Sequence, residues 1–194
     1  MNAAPPSDDD LVQRAKSSPS GDLRAFDELI RRYQDRVLAN CRYLSGSADD
    51  AEDLAQGVFV KAFFGLKRFE GRSQFGTWVQ RIKINHCLNF IRSRKGRVTV
   101  DADDPVTQMQ PEMQVASRAD RGLHAEDAQA RIRAVLDDLP ESLRVPLIMR
   151  DLDEMPYQEI ADDLGLGLSA VKMRIKRGRE EFRRLYQAQE DQAP

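Results

Sequence analysis

Apolar residues recur with helical spacing through most of this 194-residue chain, and almost no segment alternates as a strand would. From residue 22 to Leu44, the apolar residues fall at intervals of three and four, which places them on one face of a helix. The same spacing returns at residue 128. The one alternating apolar run, "RVTV" at 97–100, is too short to form a sheet. The chain is therefore predicted to be all-α.

Composition divides the helical segments into two small domains. Residues 98–127 carry seven acidic and two basic residues together with Pro105 and Pro111, a composition typical of a flexible acidic linker. In chain order, the predicted segments are a disordered lead (1–21), a first helical domain (22–96), a flexible acidic linker (97–127), a second helical domain (128–187) and a C-terminal tail (188–194).

The charge of the chain is concentrated in two basic patches that its overall balance hides. The formal net charge is −2, yet residues 67–97 carry nine basic residues and one acidic residue, a net charge of +8. Residues 172–184 carry seven basic and two acidic residues, a net charge of +5. One basic patch in each domain predicts two separate contacts with a polyanion such as a nucleic acid.

Several other classes of protein do not fit the sequence. No run approaches the roughly 20 apolar residues that cross a bilayer, and "MNAAPPSDDD" at the N-terminus has neither the basic nor the apolar region of a secretory signal. Cys41 and Cys87 match no metal or disulfide spacing. The sequence has no phosphate-binding loop and no acidic cluster with metal-ligand spacing beside a basic patch. We expect a cytoplasmic, non-enzymatic protein without a cofactor and without membrane insertion.

The segment "YQEIADDLGLGLSAVKMRIKRGREEFRR" at 157–184 predicts a helix-turn-helix. Ile160 and Leu164 give the first helix a buried side, "GLGLS" turns the chain, and Val171 follows Ala161 by the ten residues that such packing requires. A basic helix alone would be an ordinary solvated surface, but the short preceding helix and the turn favour DNA binding. The N-terminal residues of the second helix would lie at base edges in a major groove.

The segment "FGTWVQRIKINHCLNFIRSRK" at 75–95 predicts a basic helix that is apolar on two sides. Its basic residues would follow a phosphate backbone, and Asn85 offers both a donor and an acceptor to a base edge. Phe75 and Trp78 could stack on an unpaired base, as in single-strand binding proteins. Core packing is the commoner role of such a tryptophan, and a hydrogen bond between helices is the commoner role of such an asparagine. A domain suited to single-stranded DNA, joined to one suited to duplex DNA, indicates promoter opening.

These motifs resemble those of the extracytoplasmic-function (ECF) sigma factors in the sigma-70 family of bacterial RNA polymerase sigma factors. The resemblance covers about residues 22–96 and 128–187. It is carried by "DDAEDLAQGVFVKAF", by the segment at 75–95 and by "LPESLRVPLIMRDLDEMPYQEIADDLGLGLSAVKMRIKRGR", in this order and spacing. It implies a sigma 2 domain that binds core RNA polymerase and recognises and melts the −10 element, and a sigma 4 domain that reads the −35 element.

By position, the resemblance also implies three groups of contact residues. Contacts to the −10 element are expected from Arg72, Ser73, Phe75, Trp78, Arg81, Lys83, Asn85, Asn89, Arg92 and Arg94. Contacts to the −35 element are expected from Ser169, Lys172, Met173, Lys176, Arg177 and Arg179. Contacts to the clamp helices of the polymerase β′ subunit are expected from Asp50, Asp53 and Gln56.

The resemblance adds expectations about pockets and partners. The loop from Glu70 to Phe75 is expected to help form the pocket of an extruded −10 base that Asn85 reads. Sigma 4 is expected to rest on the polymerase β flap, and an anti-sigma protein is expected to hold the factor inactive. The chain departs from the family pattern at Gly57, where a glutamate is common, and at Met173, where a small polar residue is common. A stand-alone helix-turn-helix regulator is the alternative, since it too would bind duplex DNA.

Overall fold

The structure, a computed structural model, describes residues 5–18, 22–94 and 122–190. Within these ranges the chain forms eight α-helices, one short 3₁₀ turn and no strand, which confirms the all-α prediction. The elements are α1 (Asp8–Ser17), α2 (Arg24–Ser45), α3 (Ala48–Gly65), a 3₁₀ turn (Leu66–Arg68), α4 (Phe75–Arg94), α5 (Gly122–Asp138), α6 (Glu141–Asp151), α7 (Tyr157–Leu164) and α8 (Leu168–Glu190). No helix in the described part of the chain is long and apolar enough to cross a membrane.

The chain divides into two compact units, residues 1–98 and residues 99–194. In the first unit, the apolar faces of α2, α3 and α4 pack on one another, and Leu29, Val58 and Ile84 are at most 1% exposed. Such burial contributes about 1.5–3 kcal/mol for each large side chain. The three helices therefore form one core.

Two details of the first unit concern residues that the sequence analysis singled out. The side chain of Ser47 accepts a hydrogen bond from the backbone N–H of Asp50 and so begins α3. Cys41 on α2 and Cys87 on α4 are both buried, and their Sγ atoms lie 3.7 Å apart. The Cys87 thiol donates a hydrogen bond to the Cys41 sulfur, and the two form no disulfide.

Helix α1 corrects the expectation of a disordered lead over residues 1–21, which is wrong for residues 8–17. Ser7 begins the helix through reciprocal hydrogen bonds with Asp10, and Leu11 and Val12 are each 3% exposed. In the sequence, three consecutive acidic residues suggest a solvated segment. The sequence of one helical turn does not show that Leu11 and Val12 pack against α2. Residues 1–4 and 19–21 lie outside the described ranges.

The expected boundaries of the second unit also need correction. Helix α5 begins at Gly122, six residues before the expected end of the linker, and α8 reaches Glu190, three residues into the expected tail. The expected bounds followed the apolar spacing, which does not mark the residues at which a helix begins and ends. The remaining linker residues and residues 191–194 lie outside the described ranges.

The second unit contains the expected helix-turn-helix. Gly165 ends α7 in the left-handed conformation, with φ of 67°, and the N–H of Leu166 donates to the carbonyl of Ala161 at 2.9 Å. Ile160 on α7 and Ile175 on α8 are at most 1% exposed and pack into the core of this unit. The short turn and the buried residues hold α8 against α7 and leave the outer face of α8 exposed.

We expect Leu11→Ala to lower the free energy of unfolding of the first unit by about 2–4 kcal/mol, because it leaves a cavity under α1. The matched control is Gln13→Ala, at an exposed position of the same helix, which should change it by less than about 0.5 kcal/mol. The chain has one tryptophan, Trp78, in the first unit, so urea unfolding followed by its fluorescence reports this unit alone. Equal stability of the two variants would contradict the integration of α1 into the fold.

Candidate nucleic-acid interface

A cavity of about 400 Å³ opens along α4 in the first unit. The α4 side is lined by Trp78, Ile82, Asn85, His86 and Asn89. These residues follow one another at helical intervals, so they form a single stripe along the helix. The stripe combines an aromatic ring, an imidazole and two side-chain amides.

The opposite side of the cavity comes from the end of α3 and the turn that follows it. Lys61 and Gly65 on α3 and Arg68 in the 3₁₀ turn line this side. Gly65 permits a close approach, because a Cβ atom there would make a tight contact of 3.1 Å with the Trp78 ring. Two cations therefore face two amides across a space of the size that small planar ligands occupy.

Three of the ten residues expected at the −10 element, Trp78, Asn85 and Asn89, line this cavity. Phe75 and Lys83 do not line it, because their side chains are 1% and 2% exposed and lie inside the domain. Both residues fall on the inner side of α4, which a basic and aromatic composition does not reveal. The other five residues are exposed, namely Arg72, Ser73, Arg81, Arg92 and Arg94.

The loop that was expected to form the pocket contributes nothing to the lining of this cavity, since none of residues 70–75 faces it. In the loop, the guanidinium of Arg72 lies 2.5 Å from the carboxylate of Glu70, and both side chains are exposed. The Phe75 ring instead packs behind the cavity wall, 5.7 Å from the Trp78 ring. The loop supports the wall through this contact.

Sequence reasoning missed five residues of the lining, namely Lys61, Gly65, Arg68, Ile82 and His86. A helical wheel drawn through Trp78 finds two of them, because Ile82 and His86 follow at steps of four residues. The residues on α3 and in the 3₁₀ turn carry no such signal. Only the packing of α3 against α4 brings them to the cavity.

The departure from the family pattern at Gly57 has a structural reason. A Cβ atom on Gly57 would lie 2.3 Å from Nε2 of His86, so the imidazole occupies the space that any other residue would need. Burial, and to a lesser degree the nearby Lys61 ammonium, lower the pKa of His86. The imidazole is therefore mainly neutral at pH 7.

The outer surface of α3 is a second candidate site. Asp53 and Gln56 are exposed, as a docking role requires, whereas Asp50 is half-buried and its carboxylate lies 3.1 Å from Nη1 of Arg94. The exposed surface continues along the helix to Val60 and Phe64, which are 55% and 77% exposed. Exposed apolar side chains beside polar ones are typical of a protein–protein contact.

The basic surface of the second unit lies on α8. Ser169, Lys172 and Lys176 are exposed, and Met173 and Arg177 are half-buried beside them. The Lys172 ammonium also lies 5.9 Å from the centre of the Tyr157 ring on α7, which orients it next to the turn. The exposed side chains form one edge that a duplex could approach.

Arg179, which was expected at the −35 element, forms an ion pair within the second unit. Its Nε and Nη2 atoms donate to the Asp151 carboxylate at 2.9 and 2.6 Å. This two-point ion pair joins α8 to the end of α6. Arg179 is therefore held within the domain in this structure.

Arg150 is a cation of the second unit that sequence reasoning missed. Its guanidinium lies 4.7 Å from the centre of the Tyr157 ring.

A helical domain with a basic, amide-lined cavity, together with a helix-turn-helix domain, defines a class of two-domain DNA-binding proteins. Comparison with known families makes the class specific. Residues 29–97 match the family Sigma-70 region 2, and residues 129–182 match Sigma-70, region 4. The two matches correspond to the two units of the structure.

Related proteins extend over nearly the whole chain. The RNA polymerase sigma-H factor of Pseudomonas aeruginosa is 34% identical, over 89% of this chain and 90% of the relative. The ECF RNA polymerase sigma factor SigW of Bacillus subtilis is 31% identical, over 90% and 95%. The chain therefore belongs to the ECF sigma factors of the sigma-70 family, and it is an RNA polymerase sigma factor.

Solved structures agree in fold. CnrH in complex with the cytosolic domain of CnrY has a TM-score of 0.55 and 25% identity, covering 92% of this chain and 96% of CnrH. The sigma factor RpoE in complex with the anti-sigma factor NepR from Bartonella quintana has a TM-score of 0.56 and 22% identity, covering 84% and 98%. Both similarities cover most of this chain.

We expect Gly57 and His86 to be energetically coupled. In a His86→Ala background, Gly57→Ala should stabilise the first unit by about 1 kcal/mol, because alanine is the better helix former. With His86 present, the added methyl group must displace the imidazole, so the gain should be smaller or become a loss. A double-mutant cycle of urea unfolding measures the difference. The same gain in both backgrounds would contradict the close contact.

Proposed function

We propose that this sigma factor captures an unpaired base of the −10 element in the cavity between α3 and α4, and reads the −35 duplex with α8. The observation that carries the proposal is the convergence of Trp78, Asn85 and Asn89 with Lys61 and Arg68 around one cavity. An aromatic ring, two amides and two cations are the groups that stacking, base-edge recognition and phosphate binding require.

Each part of the cavity has a separate task in this proposal. The Trp78 ring offers a face for stacking, which is worth about 1–3 kcal/mol per base. That gain offsets the few kcal/mol needed to unpair and turn out a base. Asn85 and Asn89, one helical turn apart, bond the edge of the base. Lys61 and Arg68 neutralise the phosphates beside it.

The second unit is proposed to supply the duplex contact. The exposed Lys172 and Lys176 would bind phosphates at the edge of the major groove, and Ser169 at the start of α8 would face the bases. Met173 and Arg177 would contribute from the sides of the helix. Arg179 would act indirectly, because its ion pair with Asp151 holds α8 at a fixed angle on α6.

The outer surface of α3 is proposed to bind the clamp helices of the polymerase β′ subunit. Asp53 and Gln56 supply polar contacts, and the exposed Val60 and Phe64 supply apolar area that burial in an interface would stabilise. The second unit is proposed to rest on the β flap. The factor would select and open promoters in the cytoplasm, while phosphodiester chemistry stays with the core enzyme.

An anti-sigma protein is proposed as the inhibitory partner. The proposal is supported by the Bartonella quintana neighbour, which was solved as a sigma factor with an anti-sigma factor. The exposed aromatic side chains at the end of α3, Phe63 and Phe64, are 42% and 77% exposed. A partner that covered them would compete with the polymerase for the same helix.

The decisive experiment is run-off transcription with purified core polymerase and a promoter library. Transcripts should require this protein and come from templates that share two spaced elements. Asn85→Ala should lower open-complex formation by about 5- to 100-fold, because one good set of base contacts is worth about 1–3 kcal/mol. It should also relax the preference at one position of the −10 element. The matched control, Thr77→Ala at an exposed position of α4 away from the cavity, should behave as wild type.

Other results would redirect the assignment. If Asn85→Ala opened promoters as well as the wild type does, the cavity would not be the site of base capture. The rest of the sigma assignment would stand. Tight binding to duplex DNA without polymerase, and no transcripts with it, would instead favour a stand-alone regulator.

A further inference from the structure

The N-terminal helix α1 reaches the wall of the cavity through one side chain. The Lys16 ammonium donates to the backbone carbonyl of Phe69 at 2.7 Å, across 53 residues of sequence and in a partly buried setting. Phe69 directly follows the 3₁₀ turn, next to Arg68, which lines the cavity. Lys16 therefore holds the backbone at the point where the chain leaves the cavity rim.

The Phe69 side chain continues this connection to the cavity. Phe69 is 7% exposed, and its ring centre lies 4.8 Å from that of Trp78, with the two planes inclined by 32°. Trp78 in turn lines the cavity. A shift of the Phe69 backbone would therefore move the Phe69 ring, which contacts the Trp78 indole.

The start of α1 is connected to the same aromatic cluster by a second route. The Asp8 carboxylate accepts hydrogen bonds from the Tyr33 hydroxyl and, at 2.8 Å, from the Arg32 guanidinium. Burial, and then the bond to Asp8, raise the pKa of Tyr33 to about 12, so the hydroxyl stays protonated at neutral pH. The Tyr33 ring lies 5.6 Å from the Phe75 ring, which in turn contacts Trp78.

We propose that α1 is a positioning element for the −10 cavity and that Lys16 is its positioning residue. Lys16 does not line the cavity, so it acts through Phe69 and the Trp78 wall. The proposal rests on the proposed capture of a base by this cavity. It predicts that loosening α1 impairs strand opening and leaves the contacts of α3 with polymerase and of α8 with duplex DNA intact.

The first test needs no DNA and uses the single tryptophan of the chain. In Lys16→Met, the Trp78 emission should shift to longer wavelength and acrylamide quenching should increase, because the Phe69 ring no longer holds the indole. Lys16→Arg keeps a cationic donor and should restore the wild-type signal. Arg14→Met, at an exposed position of the same helix, is the matched control and should leave the signal unchanged.

The second test measures function with the full chain in holoenzyme. Permanganate reactivity of −10 thymines, on a promoter taken from the run-off library, reports the open complex. Lys16→Met should lower it about tenfold, the effect expected from losing one charge-assisted hydrogen bond. Lys16→Arg should recover it, and Arg14→Met should retain it. Binding to core polymerase and to −35 duplex should be the same for all variants.

The outcomes separate this inference from the proposed function. Wild-type opening by Lys16→Met, alongside impaired opening by Asn85→Ala, would overturn the positioning role alone. Wild-type opening by both variants would overturn base capture by the cavity. A changed Trp78 signal with unchanged opening would also refute the positioning role. If circular dichroism shows that Lys16→Met does not fold, Lys16→Gln, which keeps a neutral donor, takes its place in both tests.

Discussion

The close approach of α3 to α4 is the constraint on which the first domain depends. Two glycines on α3, Gly57 and Gly65, face His86 and Trp78 on α4, and a Cβ atom at either position would meet those rings at 2.3 and 3.1 Å. The glycines thus let two large side chains of α4 lie against the backbone of α3. These side chains line the cavity, so the shape of the cavity follows from the contact between the two helices. Gly57 lowers the helix propensity of α3, but it has a packing role.

The same helix supports two proposed activities on different sides. The outer side of α3 carries Asp53, Gln56 and the exposed Phe64, which suit a protein partner, while Lys61 faces the cavity. A rigid helix that is docked on polymerase would therefore carry one wall of the base site with it. This arrangement explains physically how binding to the core enzyme and capture of a base could be linked within a unit of about a hundred residues.

Side-chain direction decides which of the expected residues reach the cavity. Asn85 was singled out because its amide offers a donor and an acceptor to a base edge, and Asn89 was expected from the resemblance; both line the cavity. Lys83, on the same helix, was assigned to DNA although it is 2% exposed, because composition does not report which side of a two-faced helix is covered. The missed α1 has the same cause, since the burial of Leu11 and Val12 depends on a surface supplied by residues far away in the sequence.

The sequence by itself determined the helical class, the two domains, the helix-turn-helix and the two basic patches, because periodicity, turn residues and charge are local properties. The tertiary structure decided which residues meet: Lys61 and Arg68 opposite Asn85, Lys16 at the carbonyl of Phe69, and Arg179 at Asp151. These contacts join residues from different helices, and their formation depends on how the helices pack. The residue pattern along one helix does not show which residues of a neighbouring helix will contact it.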